Sequence, residues 1–278
     1  MAKGTGLIGN FKGKVGNTVG YKLSASNNGQ TQGIRVYQPI VKNPKTAAQA
    51  EQRAKLSPIN ATYRALKMVI DRGNESLPYG NKSRLAWLKK AFNAQTMPWF
   101  KKGEAVVVPV CSEISRGSLA SIYKPSTADN NIVLTIAGIS EASTTTIGAL
   151  STAILAAYPT LRDGDQLTFV EVEQLNGSMM AHVQSLVIDT TSTAAIPSGF
   201  QVGTGELGSN QVLGDSAAGA LIISREGTNG EHLRSTENLN KMGGYESTFT
   251  DPTTKQEAIE SYMAAASGST DWAEESIQ

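Results

Sequence analysis

One cysteine, Cys111, stands in the 278 residues. That excludes an intrachain disulfide framework, a zinc site built on cysteines and CxxC redox chemistry. A reducing compartment, or a particle assembled inside a cell, is the simplest setting. Aromatics are scarce at 6% of residues. No run approaches the roughly 18 consecutive apolar residues of a membrane span. Leu7 and Ile8 are followed at once by Gly9-Asn10, too short for the roughly 7–15 apolar residues of a secretion signal. Partners are therefore sought in solution, with no membrane among them. Only two histidines, His182 and His232, are present, and both read as packed or surface residues.

Acids are almost missing from the front of the chain. Residues 1–103 hold 18 Lys and Arg against Glu51, Asp71 and Glu75, a balance of +15. Residues 104–278 hold 7 Lys and Arg against 21 acids, a balance of −14, so the whole chain carries only +1. Segregated charge of this size points to nucleic acid or another acidic partner for the basic part, or to attraction between subunits.

Glycine, in contrast, is abundant, with 27 residues, eight of them in the first forty. Residues 1–40 read as a glycine-rich arm with strands over 19–23 and 33–40, joined through the polar run 24–29. Asn43-Pro44 signals a helix start. Residues 41–103 read as a basic helical region, with a break at Pro58, Ser57 as a fresh cap and Gly73 as a stop. Ile59, Tyr63, Leu66 and Ile70 form one apolar face. A further helix over 81–95 is expected to turn Leu85, Leu88 and Phe92 inward, with Trp87 flanking it.

Residues 104–250 read as β-rich. Extended runs are expected at 106–110 and 131–137, with one helix over 146–157. Hairpins are expected at 167–188 around Asn176-Gly177 and at 220–236 around Asn229-Gly230, since Asn-Gly supplies positive-φ turn positions. In the first hairpin, alternation puts Leu167, Phe169 and Glu171 on one side and Thr168, Val170 and Val172 on the other. Asp251-Pro252 opens the last region, 251–278, a helix carrying Ile259, Tyr262 and Met263 and then an acidic tail. The fold class is α+β: the basic arm and helices, a mostly antiparallel, sandwich-like β domain, and a C-terminal helix.

Catalytic motifs fare poorly. The GxGxxG matches at 4–9 and 203–208 lack the strand before and the helix after that a dinucleotide site requires. The run 9–14 has the wrong spacing for a phosphate loop, with Val15 where a magnesium-binding hydroxyl belongs. Asp163-Gly164-Asp165 reads as a turn entering a strand. No nucleophile elbow is present, and Cys111 lacks a catalytic context. No catalytic, cofactor or metal residue is assigned, and the chain is expected to be non-enzymatic. The candidate contact residues are Phe11, Lys12, Lys14, Tyr21, Lys22, Arg53, Lys82, Lys89 and Lys90, where aromatics can stack on bases and cations can meet phosphate.

The run from Gly9 to Gly20 (GNFKGKVGNTVG), followed by Asn43-Pro44-Lys45-Thr46 and on to Gln49 and Gln52-Arg53, resembles an uncharacterised family from gut bacteria and their phages. Residues 115–119 (SRGSL) look like a further element, as do 224–227 (SREG) with 233–235 (LRS). The resemblance covers about the first 125 residues and, loosely, the rest. The tryptophan often found after the glycines in that family is absent, with Tyr21 nearest, and the chain beyond about 245 is extra. The family carries no known activity. It implies a helical front, a β-rich remainder and a phage setting. A structural component of a phage particle, capsid, head- or tail-associated, would explain the arm, the segregated charge, the absent catalytic motifs and the many glycines. Its partners would be copies of itself, other particle proteins, and DNA or RNA. A protein of replication or packaging, located in the bacterial cytoplasm, is the alternative; an enzyme with a site in the acidic β domain is a third.

Overall fold

In the computed structural model, the described residues are 13–22, 32–37, 46–94, 97–124, 132–140, 146–175, 177–209, 216–228, 230–241 and 253–267. The chain divides into two compact units, one of Thr46–Gly268 and a smaller one of Met1–Lys45 with Ser269–Gln278. The whole is α+β, as the sequence indicates.

The smaller unit contains a three-stranded antiparallel sheet in the order β1 (Gly13–Val15), β2 (Thr18–Lys22), β3 (Gln32–Val36). Gly16 at φ 57° makes the tight turn between the first two strands, a backbone state that glycine adopts without penalty. The strands read over 19–23 and 33–40 are present as β2 and β3, Leu23 and 38–40 lying outside the described residues, and β1 is an additional one. The run 24–29 lies outside the described residues.

The larger unit begins with α1 (Ala47–Ala65), α2 (Lys67–Ile70) and α3 (Asn81–Phe92). Thr46 caps α1, its hydroxyl accepting the Gln49 N–H at 3.4 Å; Asn43-Pro44 lie outside the described residues. Pro58 does not break α1, and Ser57 is no cap. An interior proline costs a helix about 3 kcal/mol or more. Here Pro58 and Ile59 are both buried, and packing outweighs that cost. The face of α3 is only partly the expected one: Leu88 and Phe92 pack against the core, and Leu85 does not. Ser83, Trp87 and Ala91 are buried, while Leu85 is 55% exposed. Gly73 follows α2 closely, and its decisive feature is space: a Cβ there would lie 2.2 Å from the Ile114 carbonyl oxygen.

After β4 (Glu113–Ser115), β5 (Val133–Thr135) and α4 (Ile147–Ala157), the hairpin of β6 (Gln166–Leu175) and β7 (Ser178–Val187) forms as the Asn-Gly signal indicates. Gly177 has φ 72°. β8 (Phe200–Gly203) and β9 (Glu206–Ser209) precede β10 (Ser216–Glu226), β11 (His232–Arg234), β12 (Glu237–Asn238), β13 (Asn240–Lys241) and α5 (Lys255–Ser267). The extended run 106–110 forms no strand, although Val108 and Val110 are buried.

The central sheet runs β11-β10-β6-β7, with β13 also on β10. Alternation buries both of its faces. Leu167, Phe169, Leu221 and Ile223 join Leu134, Leu150, Ile154 and Leu207 from β5, α4 and β9. Val170, Val172, Ala220 and Ile222 meet Ile59, Ile70, Trp87 and Ala91 from the helices. One core thus continues across position 103, where charge and secondary structure change. α5 packs against α1 and carries a capping box: Glu257 N–H donates to Thr254 Oγ1 at 3.2 Å, and Thr254 N–H to Glu257 Oε2 at 3.0 Å. Ala258 is its buried residue, with Ile259 and Tyr262 half-buried and Met263 exposed.

Candidate partner and nucleic-acid interface

Strand register decides what the arm presents. Lys14 pairs with Val19, and Val19 with Arg35; Tyr21 pairs with Gly33. Directly paired residues share a face and the pattern repeats every two residues. One face therefore carries Lys14, Val19, Tyr21, Arg35 and Tyr37. The other carries Val15, Thr18, Ile34 and Val36. The first is cationic and aromatic: Lys14 Nζ lies 3.6 Å from the centre of the Tyr37 ring. Tyr21 lies over Gly33, where a Cβ would come within 2.4 Å of the ring. On the second, Val15 is 52%, Ile34 53% and Val36 70% exposed, and the Lys22–Gln32 pair falls at the same parity at the end of the strands. No acid occurs among the described residues of the sheet.

The remaining contact residues are dispersed. Phe11 and Lys12 lie outside the described residues, and Lys22 closes β2. Arg53 is exposed on α1. Lys82 and Lys89 are exposed on α3, two turns apart on one stripe. Lys90 faces the body and pairs with Glu113, which neutralises it. Among the described residues, Lys82 and Lys89 share the α3 stripe, Lys14 and Tyr21 share a face of the arm sheet, and Arg35 and Tyr37, not singled out from sequence, join the latter pair. Strand alternation alone could have found Arg35 and Tyr37 once the β2–β3 register was known.

In the body, β7 is the open end of the central sheet. Among the described residues no strand pairs with its outer side. Its ten residues, Ser178–Val187, contain no Asp, Glu, Lys or Arg, and Met180, Val183 and Val187 are exposed. Edges of this length are ordinarily guarded by charge, proline or a bulge.

Residues 115–119 and 233–235 meet in space. Leu119 N–H donates to the Arg234 carbonyl at 2.8 Å, and Ser115 Oγ to the Ser235 carbonyl at 2.8 Å. Glu75 binds the group together, accepting from Ser118 N–H and Arg234 N–H at 2.9 Å each. Burial pushes the Glu75 carboxyl up, but these N–H donors and the Ser118 hydroxyl outweigh it and hold the carboxyl below its ordinary range. Arg225 forks onto buried Asp165 at 2.6 and 2.7 Å. These contacts hold the fold together.

Chemistry-bearing groups elsewhere are few. Glu171 and Glu173 are buried neighbours on one face of β6, and His182 Nε2 lies 2.9 Å from Glu173 Oε1. Burial raises the Glu171 carboxyl. His232 stacks against Tyr79 with centroids 5.8 Å apart. Burial pushes the Cys111 thiol up to about 11, which leaves little thiolate near neutrality. The glycines at 203–208 form the β8–β9 hairpin, with Gly205 at φ 78°, so no helix N-terminus awaits a pyrophosphate there. Asp163-Gly164-Asp165 is the turn entering β6, with Gly164 at φ 90°. Among the described residues no group of three or more His, Cys, Asp or Glu is placed to hold a metal ion, and no helix is long and apolar enough to cross a membrane. Set against known proteins, the chain matches no family model, no curated protein and no solved structure.

Proposed function

We propose that this chain is a non-enzymatic assembly protein, a structural component of a phage particle, in which the arm of one copy adds to the sheet of the next. The observation that carries this reading is where exposed apolar side chains collect. Val15, Ile34 and Val36 lie on the arm, and Met180, Val183 and Val187 on the unguarded edge of β7. The outer edge of β3, five residues long, has no strand partner among the described residues. Laid beside β7 of a second copy it would satisfy backbone groups on both edges and cover apolar side chains.

Charge favours the same occupant. The arm's described residues include Lys14, Lys22 and Arg35 with no acid, whereas residues 104–278 carry a balance of −14. An arm-to-edge contact is heterologous, so copies close into a ring where the rotation permits and otherwise extend as a helical filament. The phage setting, with the virion or the bacterial cytoplasm as location, rests on the sequence resemblance. Other particle proteins would then join the assembly as further partners.

Light scattering after size exclusion tests this reading on the full chain. A mass several times that of one copy is expected, falling to one copy in Val183→Lys and in an Ile34→Asp/Val36→Asp double variant. A single-copy mass for the unaltered chain at high concentration contradicts the proposal, as does a multimer that both variants leave intact.

A further inference from the structure

We infer that the face of the arm sheet bearing Lys14, Tyr21, Arg35 and Tyr37 binds single-stranded nucleic acid. This face is opposite to the apolar one used for assembly; Tyr21 and Tyr37 play no part in that reading, and Lys14 and Arg35 enter it only through their charge, so the inference can hold where the assembly reading fails.

Single strands are bound without sequence preference by surfaces that combine open aromatic rings with cations. Bases stack on the rings while cations neutralise the backbone phosphates. Tyr21 offers the ring: it is 43% exposed. Gly33 beneath it leaves room that any larger residue would remove, since a Cβ there would sit 2.4 Å from the ring. Arg35 is paired with Val19, two residues before Tyr21, so it is the diagonal neighbour of Tyr21, at roughly 7–8 Å between backbones. Both side chains can reach one nucleotide. Lys14 rests 3.6 Å from the Tyr37 ring centre, which keeps its ammonium on the same face without neutralising it. Among the described residues no acid forms an ion pair with Lys14 or Arg35. Charge of one sign with no counter-ion among the described residues, beside an open aromatic ring, fits a polyanion with unstacked bases. A duplex hides its base faces and could use only the cations.

The test is fluorescence anisotropy of the full chain with a labelled oligothymidylate of about 20 nucleotides, longer than the roughly 4–16 that one small domain covers. A duplex of equal length and poly-glutamate serve as competitors. Saturable binding is expected, weakened about tenfold in Tyr21→Ala, in line with base–aromatic stacking, and retained in Tyr21→Phe. Lys14→Ala/Arg35→Ala should reduce the slope of log affinity against log salt by about 1.4, at about 0.7 per phosphate contact on a single strand. Ile34→Asp/Val36→Asp, on the opposite face, should still bind, whatever its mass by light scattering. No saturable binding overturns the inference. So does displacement by duplex as effective as by single strand, or an unchanged affinity in Tyr21→Ala. Displacement by poly-glutamate with no effect of Tyr21→Ala assigns the face to an acidic protein surface instead.

Discussion

Two antiparallel sheets of one chain have opposite fates. In the central sheet, consecutive residues of β6 are buried on both faces, Leu167 and Phe169 on one side and Val170 and Val172 on the other. In the arm sheet, Gly20 is the only buried residue among those described. Both obey the same period-two alternation and both use tight glycine turns. The difference is what lies above and below. Helices cover one face of the central sheet, and α4 with a second small sheet covers the other, so its side chains leave water. Val15, Ile34 and Val36 of the arm have the strand pattern but stay exposed. A sheet of that kind gains burial when a partner supplies the missing layer or edge.

That contrast predicts a steep hierarchy of substitution costs. Phe169→Ala removes a fully buried ring that meets Phe200 edge-on at 5.4 Å, and should cost about 3–5 kcal/mol in urea unfolding. Arg225→Leu strips the partner from buried Asp165 and should also cost about 3–5 kcal/mol, since a buried charge is left uncompensated. Gly117→Ala forces a Cβ to within 2.2 Å of the Arg234 carbonyl oxygen and 2.4 Å of Glu75 Oε2. About 1–3 kcal/mol is expected there. At the other extreme, Val36→Ala on the arm should change the unfolding free energy of the body by no more than about 0.5 kcal/mol. Comparable losses for Phe169→Ala and Val36→Ala would erase the contrast.

A smaller effect sharpens it through pH. Burial raises the Glu171 carboxyl in the folded protein above its ordinary value. Between the ordinary and the raised value the folded state binds more proton than the unfolded one, so stability falls as pH rises through that window. Glu171→Gln should flatten this decline when unfolding is followed from acid to neutral pH. Glu75, held low by its N–H donors, acts with the opposite sign: its contribution is present above the ordinary carboxylate range and is lost as pH falls through the lowered value. Glu75→Gln should therefore weaken the protein at neutral pH more than in acid.

Local chemistry made part of this legible in the sequence. Asn176-Gly177 and the alternation from Leu167 to Val172 specify a hairpin and both of its faces, because turn geometry and period-two burial are properties of neighbours. Pro58 misleads, since its local cost is outweighed by burial that only the tertiary structure supplies. Leu85 misleads in the same way: α3 turns Trp87 and Ala91 inward because its neighbours are α1, α2 and β4. The contact of Leu119 with Arg234, and the fork of Arg225 on Asp165, join segments far apart in the chain that no spacing rule connects. The two-faced character of the arm depends on the β2–β3 register, and Arg35 and Tyr37 gain meaning only through it.

The central claim is that the arm belongs functionally to a partner while the body folds without it. Comparing the full chain with one beginning at Thr46, by thermal unfolding and light scattering side by side, tests this most directly. The account predicts nearly the same midpoint for both, a multimer for the full chain and a single copy for the shortened one. An unfolded shortened chain would place the arm in the body's own core, and a folded one that still assembles would remove the arm from the interface; either result contradicts the account.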